Sequence, residues 1–168
     1  LVLSIMAAFL FFLINRWVKL SMADQEYQNW LKTGQNDLND LLTGDRNAQQ
    51  IADVSLKFVA EYLNAHVGVM FVSNLKNKFR LKGKFGFESY GDKKDSFKSG
   101  EGFHGQAVLD GKAQVMDPAP LGYLKVGSGL GEKDAVGIVL QPLVFEQGSV
   151  GLIELAFLRG IDKEITDL

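Results

Sequence analysis

The sequence predicts an α+β domain: a central antiparallel sheet of about six strands, flanked by helices and entered from a long N-terminal helix. Three patterns carry this expectation. Lys76, Lys78, Arg80, Lys82 and Lys84 alternate with Phe79, Leu81, Phe85 and Phe87, as a strand with one wet and one buried face requires. Val136 to Phe145 and Val150 to Phe157 are two apolar runs joined by Glu146-Gln147-Gly148-Ser149, a hairpin with a short polar turn. Leu13 to Leu42 holds no proline and repeats its apolar residues at helical spacing.

Bulk properties narrow the classes. At 168 residues there is room for one ordinary domain and an appendage. Apolar residues make up 46% and charged residues 23%, so a core can form. The net charge of −2 gives no global attraction for nucleic acid, and no such partner is expected. The absence of cysteine removes disulfides, thiolate metal sites, cysteine nucleophiles and thioether-linked chromophores. His66 and His104 are the two histidines, too few for a histidine metal site. Neither a metal nor a haem is expected.

The chain opens on Leu1 rather than Met, inside the uncharged run Leu1 to Ile14, so it reads as a piece of a longer protein. As a helix the run covers about 21 Å, short of the roughly 30 Å hydrocarbon core. Arg16, Trp17 and Lys19 follow, as at the cytoplasmic end of a span. A secretory signal ending near Ser21-Met22-Ala23 is an alternative, but Arg16 and Lys19 stand before that site. A buried core helix is a second. The one-sided charge favours a truncated membrane helix over residues 1–20.

Leu13, Trp17, Leu20, Asp24, Tyr27, Leu31, Gly34, Leu38 and Leu41 step by alternating fours and threes, the period of a two-helix seam. Asp24 and Gly34 interrupt it. Leu20, Tyr27, Leu31, Leu38 and Leu41 are therefore candidates for pairing two copies through a signalling helix over 21–44. A single amphipathic helix lying on its own domain accounts for the same spacing. Gly44 ends this helix, and Asp45 is the expected N-cap of the next. Across residues 46–64, the rows Ile51, Ser55, Phe58, Tyr62 and Ala52, Leu56, Val59, Leu63 predict a second helix with a broad apolar face.

Val67 to Val72 is apolar on both faces and should be a central strand. The basic row opposite Phe79 and Phe85 reads as a solvated strand face, with a phosphate or anionic-lipid surface as the alternative. Gln141-Pro142 marks a bulge or an edge. A short helix is expected near 102–110, stopped by Gly111, then a short strand near Ala113 to Met116.

Gly100 to Gly105 fits G-x-G-x-x-G, yet an apolar strand before it and an acidic residue about twenty positions on are missing, which excludes a dinucleotide fingerprint. Gly127 to Asp134 is glycine-rich without a phosphate-cradling ending and reads as a mobile loop or ligand lid. His104 sits at a helix start with no partner fixed by sequence. Glu154, between Ile153 and Leu155, is expected to face water unless it is paired inside. No nucleophile with base and orienter is present, so catalysis is not expected.

Four stretches in order carry a resemblance. They are Trp30 to Gly34 with the Leu38, Leu41, Leu42 helix; Phe97 to Ala107 (FKSGEGFHGQA); Tyr123 to Glu132 (YLKVGSGLGE); and Val139 to Phe157 (VLQPLVFEQGSVGLIELAF). Together these resemble the GAF family, in particular GAF domains of membrane-bound bacterial sensor histidine kinases. The resemblance implies a GAF/PAS-like six-stranded antiparallel sheet with helices that pair subunits on one face. A ligand pocket lies on the other, under 97–107 and 121–133, lined by Phe85, Phe103, Gln106, Tyr123 and Ser128. It also implies a homodimer at the cytoplasmic side of the inner membrane, anchored through residues 1–20. The GAF domain would occupy 45–158, and a helix over 159–168, with Ile161, Ile165 and Leu168, would lead to an effector such as a histidine kinase. Asn77-Lys78-Phe79 matches only the first letters of the cyclic-nucleotide signature, and the lack of cysteine departs from chromophore-bearing and sulfoxide-reducing members. An unidentified small ligand is expected and no cofactor. The alternative is a structural dimerisation domain whose pocket is filled by its own phenylalanines.

Overall fold

A computed structural model of the chain describes residues 24–74, 77–86, 95–128 and 131–161. The expected membrane span, Leu20, Lys76, Phe87, Ile165 and Leu168 lie outside the described residues. Helices α1 (Asp24–Leu42) and α2 (Ala48–Tyr62) come first. Strands β1 (Val67–Ser73), β2 (Lys78–Phe85) and β3 (Ser96–Lys98) lead to helix α3 (Gly102–Asp110). Then follow β4 (Gln114–Met116), β5 (Lys125–Ser128), β6 (Gly131–Asp134), β7 (Gly137–Phe145) and β8 (Gly148–Phe157). Six strands form one antiparallel sheet in the order β3-β2-β1-β8-β7-β4, while β5 and β6 make a separate ribbon.

Apolar layers cover both sheet faces. On one, Leu38 and Leu42 of α1 and Ile51, Ala52, Leu56 and Val59 of α2 meet Met70, Val139, Ile153, Leu155 and Phe157. On the other, Val67, Val69, Phe71, Phe79, Ile138, Leu140 and Leu152 pack with Ala107 and Val108 of α3 and with Leu124. Burial on both faces is why β1 and β8 read as nearly continuous apolar runs. The central place of β1 is as expected from the sequence, and β8 pairs beside it.

Strand β2 departs from simple alternation. Met70 pairs with Gly83 and Phe71 with Leu81, which leaves Lys82 as the extra residue of a bulge. Gln49 of α2 donates to the Lys82 carbonyl that the bulge frees. The strand therefore changes face midway. Phe79 and Leu81 join the α3 layer, whereas Phe85 packs into the α2 layer and Gly83 lies where a Cβ would stand 3.2 Å from the Ala52 carbonyl. A bare backbone is what lets α2 approach so closely. The basic residues stay exposed or half-exposed.

Other expectations shift locally. The N-cap of α2 is Asn47, in a reciprocal capping box with Gln50, and not Asp45. Within the glycine-rich stretch, Gly127 and Ser128 pair with Gly131 and Glu132 as part of the ribbon β5–β6. Pro142 sits past the end of β4, which pairs only with Ile138 to Leu140 of β7, so the missing N–H falls at an edge; the register shift follows at Leu143/Val144. A short strand, β3, does precede Gly100, but the sheet is antiparallel, so no dinucleotide unit arises. Over its last turns α1 lies on its own domain. Gly34, Leu38 and Leu42, four apart, are buried, and Leu41 is 41% exposed.

Leu56 is fully buried between α2 and the sheet. Leu56→Ala should lower urea-denaturation stability by about 2–5 kcal/mol. Leu121→Ala, at a position 94% exposed, should change it by less than about 0.5 kcal/mol.

Candidate functional site

Glu154 lies in the middle of β8, opposite Val69 of β1 and Leu140 of β7. Leu152 and Ala156, two positions either way, belong to the α3 layer, so Glu154 points into that layer. It is 1% exposed. A charge taken that far from water needs partners, and two come from other segments. His104 of α3 places Nε2 2.9 Å from Glu154 Oε2. The Tyr123 hydroxyl is buried within the electrostatic reach of the same carboxylate.

Local backbone chemistry aims His104. Gly105 packs where a Cβ would come 2.5 Å from the Lys98 carbonyl oxygen, so only glycine lets the helix start this near β3. The Gly105 N–H donates to the Glu101 carbonyl, and the Gly100 N–H donates to the Gly105 carbonyl. The Glu101 carboxylate accepts from the Lys98 N–H. This fastened turn sets the imidazole against Phe97, ring centroids 5.3 Å apart, and Phe71 at 5.5 Å. Phe97 in turn stacks on Phe79 at 5.0 Å.

Tyr123 arrives on the segment between β4 and β5, with its ring edge-on to Phe103 at 5.9 Å. Burial first, then the negative charge of Glu154 and the hydrogen bond to it, hold the Tyr123 hydroxyl far above the ordinary phenol range. It is a donor at any physiological pH. Tyr62, away on α2, is pushed up to about 12 by burial and then by the charge of Asp37.

The base of the Tyr123 segment touches the end of the described chain. Asp117 Oδ2 accepts from the Ile161 N–H at 2.7 Å. Lys133 Nζ donates to the Leu158 carbonyl at 3.0 Å, and the Leu158 N–H donates to His66 Nδ1 at 3.3 Å. Three segments thus clasp the stretch after β8.

Of the pocket residues expected from the sequence, Tyr123 and Phe103 meet at this site, Phe103 remaining 51% exposed. Phe85 does not: the bulge at Lys82 turns it to the α2 face. Gln106 is exposed and binds Asp110 on the surface of α3 at 2.8 Å. Ser128 ends β5, and its side chain lies outside the described residues. Of the pairing residues, Leu38 is fully buried in the chain's own core, so it is not on offer to a second copy. Tyr27 and Leu31 lie on α1 with side chains outside the described residues.

Glu154 overturns the expectation that it faces water, and His104 has the partner that spacing alone did not fix. The signal was present. A strand apolar on both faces is central, so a carboxylate within it is buried whichever way it points. Among the described residues there is no cluster of three or more side chains able to hold a metal ion, and no helix long and apolar enough to cross a membrane.

A curled antiparallel sheet with helices on one face, and a roofed polar site on the other, defines a small α+β domain class. The particular fold is that of GAF domains. The A. aeolicus Nlh2 GAF domain in an inactive state superposes with a TM-score of 0.62 at 18% identity, over 83% of this chain and 86% of that one. The GAF domain of a phosphoenolpyruvate-protein phosphotransferase from Coxiella burnetii gives 0.62 at 20% identity, over 83% and 85%. The free methionine-R-sulfoxide reductase of Neisseria meningitidis, in complex with its substrate, gives 0.59 at 13%, over 84% and 80%. No protein-family model and no curated protein sequence matches the chain.

The two raised tyrosines set the sign of an alkaline effect. Above pH 10 the unfolded chain releases phenol protons that the folded chain keeps, so the native state holds more protons and stability falls as pH rises. Urea midpoints should be flat from pH 8 to 9.5 and decline above pH ~10, with a shallower decline in Tyr123→Phe.

Proposed function

We propose that the chain is a sensory or regulatory module that binds a small ligand over Glu154 and passes occupancy to the ends of the domain. One observation carries this reading: a carboxylate sits fully buried at the sheet centre, on the face roofed by α3 and the Tyr123 segment. An apolar residue there would cost the fold less, and perturbed, partnered ionisable groups concentrate at working sites. The GAF fold is common to regulatory domains and to a sulfoxide reductase. This chain has no cysteine, which argues for regulation over thiol chemistry.

The route outward runs through Asp117. Tyr123 touches the site, and Asp117, at the start of the same segment, holds the Ile161 N–H. A shift of that segment changes how the stretch after β8 is anchored. In the parent protein, this stretch leads on to an effector, which we take to be a histidine kinase. Two copies pair through the early turns of α1 and through residues 159–168. Residues 1–20 hold the assembly at the cytoplasmic face of the inner membrane. The basic residues before α1 and the heptad spacing support these assignments.

A purely structural domain is the second reading. It is favoured by the rings that already fill the site: Phe103 on Tyr123, and Phe71 and Phe97 on His104.

Thermal denaturation against a metabolite library separates the two. A specific ligand at 100 times its Kd should add about 2.7 kcal/mol and alter hydrogen-exchange protection of the Ile161 amide. No stabilising compound would leave the structural reading standing. Light scattering in detergent should give a dimer mass. Monomer at high concentration would remove the pairing.

A further inference from the structure

We propose that the ligand over Glu154 is a compact organic cation with a flat apolar body, whose positive group takes the place of the His104 imidazole on the carboxylate. The inference rests on the ligand-binding reading above and goes further by naming the chemical class.

Glu154 is the one charged side chain buried among the described residues; Ser55 and Gln141 are the other buried polar ones. Its carboxylate needs compensation in every state the site visits, because an ion left alone in an apolar layer is strongly disfavoured. A group that displaces His104 and brings a positive charge or charge-assisted N–H donors keeps the carboxylate ionised and paired, whereas one without them leaves it to take up a proton. A neutral ligand brings too little, and an anion adds repulsion.

His104 is well suited to be displaced. Its side chain is 20% exposed, against 2% for that of Glu154, so the imidazole lies on the solvent side of the pair. An imidazole also holds a carboxylate less firmly than the fixed fork of a guanidinium. Phe103, half exposed, rests edge-on against Tyr123.

The imidazole also marks the shape of its replacement. It is a flat group within 5.5 Å of two phenyl rings, Phe97 and Phe71, with one nitrogen on the acid. A planar cation placed there keeps the charge-assisted hydrogen bond and gains the faces and edges of those rings. Tyr123 stays beside Glu154 as a neutral phenol, so the carboxylate keeps its acceptor oxygens for the newcomer.

Three isosteric probes test the class: benzamidinium, benzamide and benzoate, which share shape and differ in charge. Benzamidinium alone should raise the Tm of the wild-type domain. Glu154→Gln should weaken its binding at least about tenfold, the loss of one charge-assisted bond. His104→Ala should tighten it severalfold, since the resident competitor is gone. Should Glu154→Gln fail to fold, the His104→Ala result and the three-probe ranking in wild type decide alone. Equal shifts from all three probes, no shift from benzamidinium, or weaker binding in His104→Ala would each overturn the proposal. These outcomes are distinct from failure of the ligand-binding reading itself, in which no member of the metabolite library stabilises the domain.

Discussion

A carboxylate at the centre of an antiparallel sheet constrains everything placed over it. Glu154 has β1 on one side and β7 on the other, so its strand cannot swing it toward water. The desolvation cost of such an ion is several kcal/mol. Compensation has to come from the segments laid across that face, and their local details serve it. The fastened turn at Gly100 to Gly105 delivers His104, and the segment from Asp117 delivers Tyr123. The Ser149 hydroxyl donates to the Val108 carbonyl at 2.6 Å, near the other end of α3. The helix is held at both ends while its first turn carries His104.

The two faces of the sheet divide the labour. The α1–α2 face is an apolar layer, from Leu38 to Phe157. Stability that resides there does not depend on the state of the site. The α3 face mixes apolar packing with the Glu154 network. Strand β2 serves both faces, because one extra residue at Lys82 rotates it midway. The stretch after β8 packs Ile161 into the α1–α2 layer and is held by Asp117, Lys133 and His66.

Much of the sheet was legible in the sequence. The apolar runs at Val67, Val139 and Leu152 and the Lys/Phe alternation were read as strands, and Gly111 as a helix stop. Where the reading went astray, a single residue was responsible. Strict alternation assumes that every residue pairs, and Lys82 does not, so Phe85 changed face and dropped out of the pocket. Glu154 was read by its charge rather than by the strand around it. Its burial follows from Leu152, Ile153, Leu155 and Ala156 being buried on both faces. His104 was beyond spacing arguments, because its partner lies 50 residues away and only the crossing of α3 over β8 joins them. Leu38 was placed in a seam by a period that a core-facing stripe of Gly34, Leu38 and Leu42 satisfies as well.

The claim that the Glu154 network serves recognition rather than stability is tested most directly by replacing it with an apolar one. In the triple variant Glu154→Leu, His104→Leu, Tyr123→Phe, the charge and both partners leave together, so no buried polar atom of the network is stranded. The account predicts a Tm at or above that of the parent domain, with thermal response to benzamidinium and to every library ligand abolished. A variant that unfolds despite balanced volumes, or one that still responds as the parent does, would contradict it.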